Sequence, residues 1–281
     1  MPHLIDKIDV VMLTKNSLNP CLSLSIDSIL REIPINKLII VDGGSNDGTI
    51  DLLNKYKHQN SDLDMLILFD KNGNRATSRQ LGVSKVSTSI FAFVDSDVVL
   101  TRGWFNKIIK HLDDPKVGAV WGAALPVEPR SRKYYEAMAK LYRTHPLELA
   151  REQGSKRGLL HDTLIRKDAI QGIIIPKELQ VMEDHFIRKY IEKRGYKWIT
   201  TSEPYCLHYV GKRKMNEIYF DAYYGWKLGV YEKHWYAKHT LLFWAKLIYL
   251  LCATHDLKVV SYEFAKEKQF LVATINLLFG R

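Results

Sequence analysis

The chain has 281 residues and a mass of 32.6 kDa, with 46% hydrophobic and 26% charged residues. That composition excludes a mainly disordered chain and is enough to bury a full core. Three cysteines without a C-x-x-C pair exclude a disulfide framework, a zinc ribbon and a thioredoxin-type motif and fit a reducing compartment. The net charge of +10 favours anionic partners, whether nucleic acid, phosphorylated substrates or an acidic membrane face.

Residues 9–13, 37–41, 65–69 and 90–94 are short β-branched, apolar runs and predict strands. Helix-like stretches over 22–31, 49–57 and 75–86 lie between them. Strands alternating with helices predict βαβ units around a mostly parallel sheet, and nearly continuous apolarity suits strands covered on both faces. The expected fold class is α/β, with a Rossmann-like nucleotide-binding first half.

From Gly118 to about Thr200 the pattern is mixed, with strands predicted over 119–124 and 158–165 and a helix over 184–194. The polar stretch 130–153 reads as a lid-like insertion. Beyond Pro204, Met215, Ile218, Tyr219, Ala222, Tyr223 and Trp226 recur at helical spacing and predict an amphipathic helix. Two more apolar helical segments follow at 241–251 and 270–279. The N-terminus is too polar for a signal peptide. The longest near-apolar run, 240–253, would form a helix about 21 Å long, short of the roughly 30 Å hydrocarbon core, so no bilayer span is expected.

Three acidic segments carry the candidate chemistry. Asp42-Gly43-Gly44-Ser45-Asn46-Asp47-Gly48-Thr49 follows a predicted strand and opens a predicted helix. Its glycines allow a tight turn and close approach of backbone to ligand, and the helix start offers N–H groups to a phosphate or polar ring. It is neither a G-x-G-x-x-G fingerprint nor a Walker loop, and a strand–turn–helix connection without a ligand fits it as well. Asp95-Ser96-Asp97 follows the strand at 90–94, and ligands of open α/β sheets bind beyond the carboxyl ends of strands. Carboxylates at i and i+2 can converge on Mg²⁺ or Mn²⁺, leaving positions for water and phosphate oxygens; a solvated turn is the plainer alternative. Glu183-Asp184 opens a predicted helix, where acids suit the helix dipole and where one can also serve as general base to an acceptor hydroxyl.

In order, Thr14-Lys15-Asn16, the Asp42 turn, Gly73-Asn74, Ser78-Arg79-Gln80-x-Gly82, Asp95-x-Asp97 and Glu183-Asp184 resemble the family 2 glycosyltransferases of the GT-A fold. The resemblance covers roughly residues 8 to 200. It implies a metal-dependent, inverting transfer of a sugar from a UDP- or GDP-sugar to an acceptor, with Mn²⁺ or Mg²⁺ as cofactor. By position it implies that Thr14, Asn16, Asp42 and Gly44 hold the nucleoside, with Asp42 accepting from the base N–H. Arg79 would lie near the base or diphosphate, and Asp95 and Ser96 near the ribose and metal. Asp97, with Asp95, would ligate the metal, and His208 would be a further metal or diphosphate contact. Asp184, beside Glu183, matches the catalytic-base position. Gly43 departs from the second acidic residue that many members carry, which leaves the nucleobase open.

On the same basis residues 1–205 form the catalytic domain, with 1–120 the nucleotide-sugar half and 121–205 the acceptor half, and 206–281 a C-terminal helical region. Lys212-Arg213-Lys214 reads either as closing over the diphosphate or as a solvated turn. His145, His161 and His185 show no metal-ligand spacing and read as structural. Between Lys212 and Lys246 seven Lys/Arg stand against three Asp/Glu, among Trp226, Trp235, Tyr236 and Trp244. Such a mixture suits a helix in the headgroup layer of an anionic membrane, or ordinary packing on the domain. The first reading makes the acceptor a polyprenyl phosphate or glycolipid, and the enzyme peripheral on the cytoplasmic face of the membrane. The rivals are a nucleotidyltransferase, which lacks its glycine-rich basic loop here, and a nucleic-acid-binding protein, for which no motif is present.

Overall fold

The structure, a computed structural model, describes residues 7–209 and 215–279. The segment Lys212-Arg213-Lys214 lies outside the described residues. Four strands, β1 (Ile8–Thr14), β2 (Ile35–Asp42), β3 (Asp64–Phe69) and β4 (Ile90–Val94), alternate with α1 (Leu22–Glu32), α2 (Thr49–Gln59) and α3 (Arg75–Val83). Successive strand residues face opposite sides. Val10, Met12, Ala92 and Val94 accordingly join α1 and α2 in one apolar cluster. Val11, Phe91 and Phe93 join α3 in the other. Gly82 lets α3 lie close to β1, since a Cβ there would stand 2.5 Å from Val11 Cγ1. Asn74 and Thr77 start α3 with a reciprocal capping box.

The second half completes the sheet with β5 (Val98–Leu100), β6 (Val117–Pro126), β7 (Asp162–Arg166) and β8 (Lys197–His208), and with the short helix α4 (Trp104–Ile108) packed between. The order across the eight strands is β3-β2-β1-β4-β7-β6-β8-β5. The pairs β1–β2, β2–β3, β1–β4 and β6–β8 are parallel, while β7 runs antiparallel to β4 and β6, and β5 antiparallel to β8. The mostly parallel α/β sheet expected from the sequence is present.

The stretch 130–153 is not a lid. It forms α5 (Pro129–Tyr142) and α6 (Pro146–Ser155), each with proline in its first turn. Ala137, Met138, Ala139 and Leu149 are buried in a cluster that also takes in Leu250, and Gly154 of α6 sits directly against the Trp121 indole of β6. The predicted strand over 158–165 is shorter, beginning at Asp162, and the strands β5 and β8 were not foreseen. Beyond α7 (Glu183–Lys193) and β8 come α8 (Met215–Lys227), α9 (Lys233–Thr254) and α10 (Leu257–Phe279). Tyr236, Ala222, Phe270 and Ala273 form a core among these three helices, with Trp226 and Trp235 packed against it.

Candidate active site

The parallel register of β1 and β2 sets Thr14 opposite Asp42 at the carboxyl end of the sheet. Asp42 is fully buried and accepts four hydrogen bonds, from Thr14 Oγ1 (2.8 Å), Gly44 N (2.9 Å), Ser45 N (2.8 Å) and Ser45 Oγ (2.6 Å). A carboxylate has about four lone-pair positions, so the chain's own donors fill Asp42. It holds the Gly43–Ser45 turn, and the base N–H contact expected from the sequence would have to displace one of these donors. Gly44 makes the turn at φ +87°, a conformation that side chains disfavour. Asn16 clamps the same loop, with its N–H donating to Ser45 Oγ (2.7 Å) and its Oδ1 accepting from Asn46 N (2.9 Å). Ser96 Oγ lies 2.9 Å from Ser17 Oγ and ties this loop to the Asp95–Asp97 turn.

Antiparallel pairing sets Val98 opposite His208, which brings the histidine at the end of β8 to the turn after β4. His208 Nε2 stands 3.3 Å from Asp97 Oδ2, both side chains partly exposed. Burial opposes charge on Asp97, but the facing His208 ring carries its carboxyl below the usual carboxylate range. Burial likewise opposes charge on His208, yet Asp97, then Asp95 and Asp162, raise its pKa above the usual imidazole value. The donor set offered at the surface is thus a carboxylate oxygen and an imidazole nitrogen. Oxygen suits Mn²⁺ and Mg²⁺ alike, and the nitrogen is better matched to Mn²⁺. The residues present fit such an ion.

Arg79, nearly fully buried, joins two of the predicted acidic segments. Its Nε donates to Glu183 Oε1 (3.1 Å), its second terminal nitrogen meets Asp95 Oδ1 (3.4 Å), and its guanidinium lies 5.0 Å from the centre of the Phe93 ring. Burial opposes its charge, but Asp95 and Glu183 raise its pKa further. Among the described residues, Nη1 of Arg79 and Oε2 of Glu183 are buried without a hydrogen-bond partner. Burial first, and Asp184 second, raise the Glu183 carboxyl, against the pull of Arg79 and Arg157. Glu183 therefore holds Arg79 in place.

Asp184 is also buried, and Arg157 Nε meets its Oδ2 at 2.7 Å and its Oδ1 at 2.8 Å. Arg157 reaches further to Asp221 of α8 at 3.0 Å, so one guanidinium couples the acid at the start of α7 to the C-terminal helices. Nothing in the sequence singled out Arg157. It belongs to no motif, and only the fold places the end of α6 against α7. Beneath His208, at 5.3 Å between ring centres, lies His161. Burial, reinforced by His208, pushes its pKa down to about 3, so the ring is neutral. Trp121 Nε1 donates to its Nε2 (3.3 Å), leaving the proton on Nδ1, which stands 3.7 Å from Cys206 Sγ. The donor atoms of His161, Asp162 and Cys206 lie within 4.8 Å of one another, with Nε2 of His161 engaged by Trp121.

The profile of Glycosyl transferase family 2 matches residues 9–172. The chain is 24% identical over 139 residues (49% of the chain) to the glycosyltransferase AglE of Haloferax volcanii, covering 44% of that protein. It is 24% identical over 198 residues (66% of the chain) to the O-antigen chain rhamnosyltransferase RfbN of Salmonella typhimurium, covering 62% of it. The chain thus spans less than two thirds of either relative. Among solved structures, the mannosyltransferase PcManGT of Pyrobaculum calidifontis, in complex with GDP-Man and Mn²⁺, superposes with a TM-score of 0.64 at 16% identity over 98% of this chain and 88% of that one. Residues 1–349 of S. aureus TarS, in complex with UDP-GlcNAc, superpose with a TM-score of 0.56 at 13% identity, covering 98% and 92%. Both share the fold.

Proposed function

This chain belongs to glycosyl transferase family 2, and from that premise we propose that it is a metal-dependent, inverting enzyme that moves a sugar from a UDP- or GDP-sugar to a lipid-linked acceptor, a polyprenyl phosphate or a glycolipid. The observation that carries this is the gathering of Asp95, Asp97, His208, Arg79 and the Glu183-Asp184 pair at the carboxyl ends of the strands. The nearest rivals, a nucleotidyltransferase and a nucleic-acid-binding protein, give way to the family.

Asp97 and His208 would hold the metal, with Asp95 beside them; when bound, it would supply positive charge where the leaving diphosphate becomes more negative. Thr14, Asn16 and the Gly43–Ser45 turn shape the floor on which the nucleoside rests. Arg79 contributes fixed positive charge next to Asp95, preorganised by Glu183 and by the Phe93 ring, so no side chain needs to reorient as charge develops. Asp184 is the acid that takes a proton from an attacking hydroxyl in this reading. In the state seen here Arg157 is paired with it, so the acceptor must loosen that pair before the proton moves. With a phosphate acceptor the nucleophile is already ionised, and Arg157 becomes a cation for it to meet. Direct displacement on the face opposite the leaving group inverts the anomeric carbon.

The decisive experiment is a transfer and hydrolysis screen of UDP- and GDP-sugars with Mn²⁺, with Mg²⁺ and with chelator. Turnover of one donor that chelation abolishes and Mn²⁺ restores is expected. Stabilisation by polynucleotide alone, with no donor consumed, would overturn the assignment.

A further inference from the structure

The helices α9 and α10 form an antiparallel hairpin whose inner side is accounted for. Phe243, Leu247 and Leu250 of α9 and Val259, Phe270 and Ala273 of α10 are buried, Leu250 among the α5 cluster and Phe270 and Ala273 beside α8. The outer side is apolar too. Along α9, Leu241, Trp244, Ile248 and Leu251 follow at i, i+3, i+7 and i+10 and are 80%, 63%, 66% and 41% exposed. Leu257 (71%) and Phe264 (47%) extend the same surface on α10, and the Trp244 and Phe264 rings lie 6.1 Å apart across the hairpin. A helix that is apolar all round is normally covered all round. Here one side has no cover from the described residues.

Charge identifies the occupant. The acids of α10 are turned inward: Glu263 is buried and bridged by Lys246 (2.9 Å) and Lys266, and buried Glu267 faces His239 (3.1 Å). Among the described side chains of the two helices, every exposed charged one is a lysine, namely Lys238, Lys258 and Lys268. An apolar face on helices whose exposed described charges are lysines complements a negatively charged apolar solvent, the headgroup layer of an anionic bilayer. Two copies packed face to face would bring like charges together. No described helix is long and apolar enough to cross a membrane, so the hairpin lies in the plane of the surface.

We propose that the outer face of the α9–α10 hairpin, centred on Trp244, Ile248 and Phe264, docks the protein on anionic membranes. This corrects the sequence-level placement, in which Trp226, Trp235 and Tyr236 shared that role: those rings are packed in the α8–α10 core. The inference rests on surface chemistry and not on the donor or acceptor proposed above.

The test is vesicle flotation of the full chain with phosphatidylcholine alone and with 30% phosphatidylserine, at low and high salt. Two variants accompany it, Trp244→Glu with Ile248→Glu, and Leu241→Glu with Phe264→Glu, each checked by thermal melting and by sedimentation. Wild type should float with the anionic vesicles, release them at high salt and ignore the neutral ones. Each variant should melt like wild type and bind at least tenfold more weakly, with donor hydrolysis in solution unchanged. Wild type that stays free of anionic vesicles at low salt overturns the proposal, as does folded variant protein that floats like wild type. A dimer that the substitutions dissociate, with no vesicle binding, assigns the face to a second copy instead.

Discussion

Arg79→Met removes the guanidinium that lies between Glu183 and Asp95 while keeping an unbranched apolar stem. Asp95 is one-third exposed and can turn to solvent, but Glu183 is buried and would lose its hydrogen-bonded cation. Leaving a buried charge unpaired costs about 3–5 kcal/mol. Protonation limits that cost. Starting from an unfolded-state value of about 4.3, a carboxyl forced to be neutral in the folded state costs at most about 3.7 kcal/mol at pH 7 and about 1 kcal/mol at pH 5. The sign follows from the direction of the shift: Glu183 is already raised by burial and by Asp184, and removing Arg79 raises it further. A group with a raised folded value gives its full stability below the unfolded value and loses it as pH rises. Because wild-type Glu183 already bears part of that cost, the difference in unfolding free energy between wild type and Arg79→Met, from urea titrations, should grow from pH 5 to pH 7 by up to about 2.6 kcal/mol. Adding Glu183→Gln removes the buried charge and should recover most of the loss at pH 7. A loss equal at both pH values, or no recovery in the double variant, refutes this account of the Arg79–Glu183 pair.

Asp97→Asn and His208→Ala should each cut turnover by about 10²–10³-fold, the scale of losing one preorganised electrostatic contact, and should raise the Mn²⁺ concentration needed for half-maximal rate. Asp184→Asn should lower transfer to a hydroxyl acceptor by about 10²–10⁴-fold. If it leaves turnover near normal, base catalysis is not obligatory and the acceptor is a phosphate. Gly82→Ala inserts a methyl 2.5 Å from Val11 Cγ1. The resulting overpacking, about 1–3 kcal/mol, should outweigh the helix-propensity gain of about 1 kcal/mol and lower the melting temperature.

Much of the first half was legible. The runs that became β1 to β4 are β-branched, nearly all apolar and bounded by turn residues, so strand identity and parallel arrangement follow from local pattern. The turns after β2 and β4 stood out for their acids and glycines. The second half hid its structure because its pattern is weak: β8 is polar for most of its length and contains Pro204, and α5 and α6 carry so many charges that their buried Ala137-Met138-Ala139 stripe was obscured. The three aromatic residues Trp226, Trp235 and Tyr236 were ambiguous because an apolar helix face has the same spacing whether protein or lipid covers it.

The amino-acid order determined the alternation of strands and helices, the placing of acids at strand ends, and the excess of positive charge, because each depends on neighbours a few residues apart. The tertiary structure decided who meets whom. It set His208 against Asp97 through the β5–β8 register, enclosed Arg79 between Asp95 and Glu183, gave Asp184 to Arg157, and chose which side of the last two helices stays bare. These outcomes join residues up to about a hundred positions apart. Local periodicity carries no information about such pairs, since chain closure and sheet register fix them only when the whole core packs.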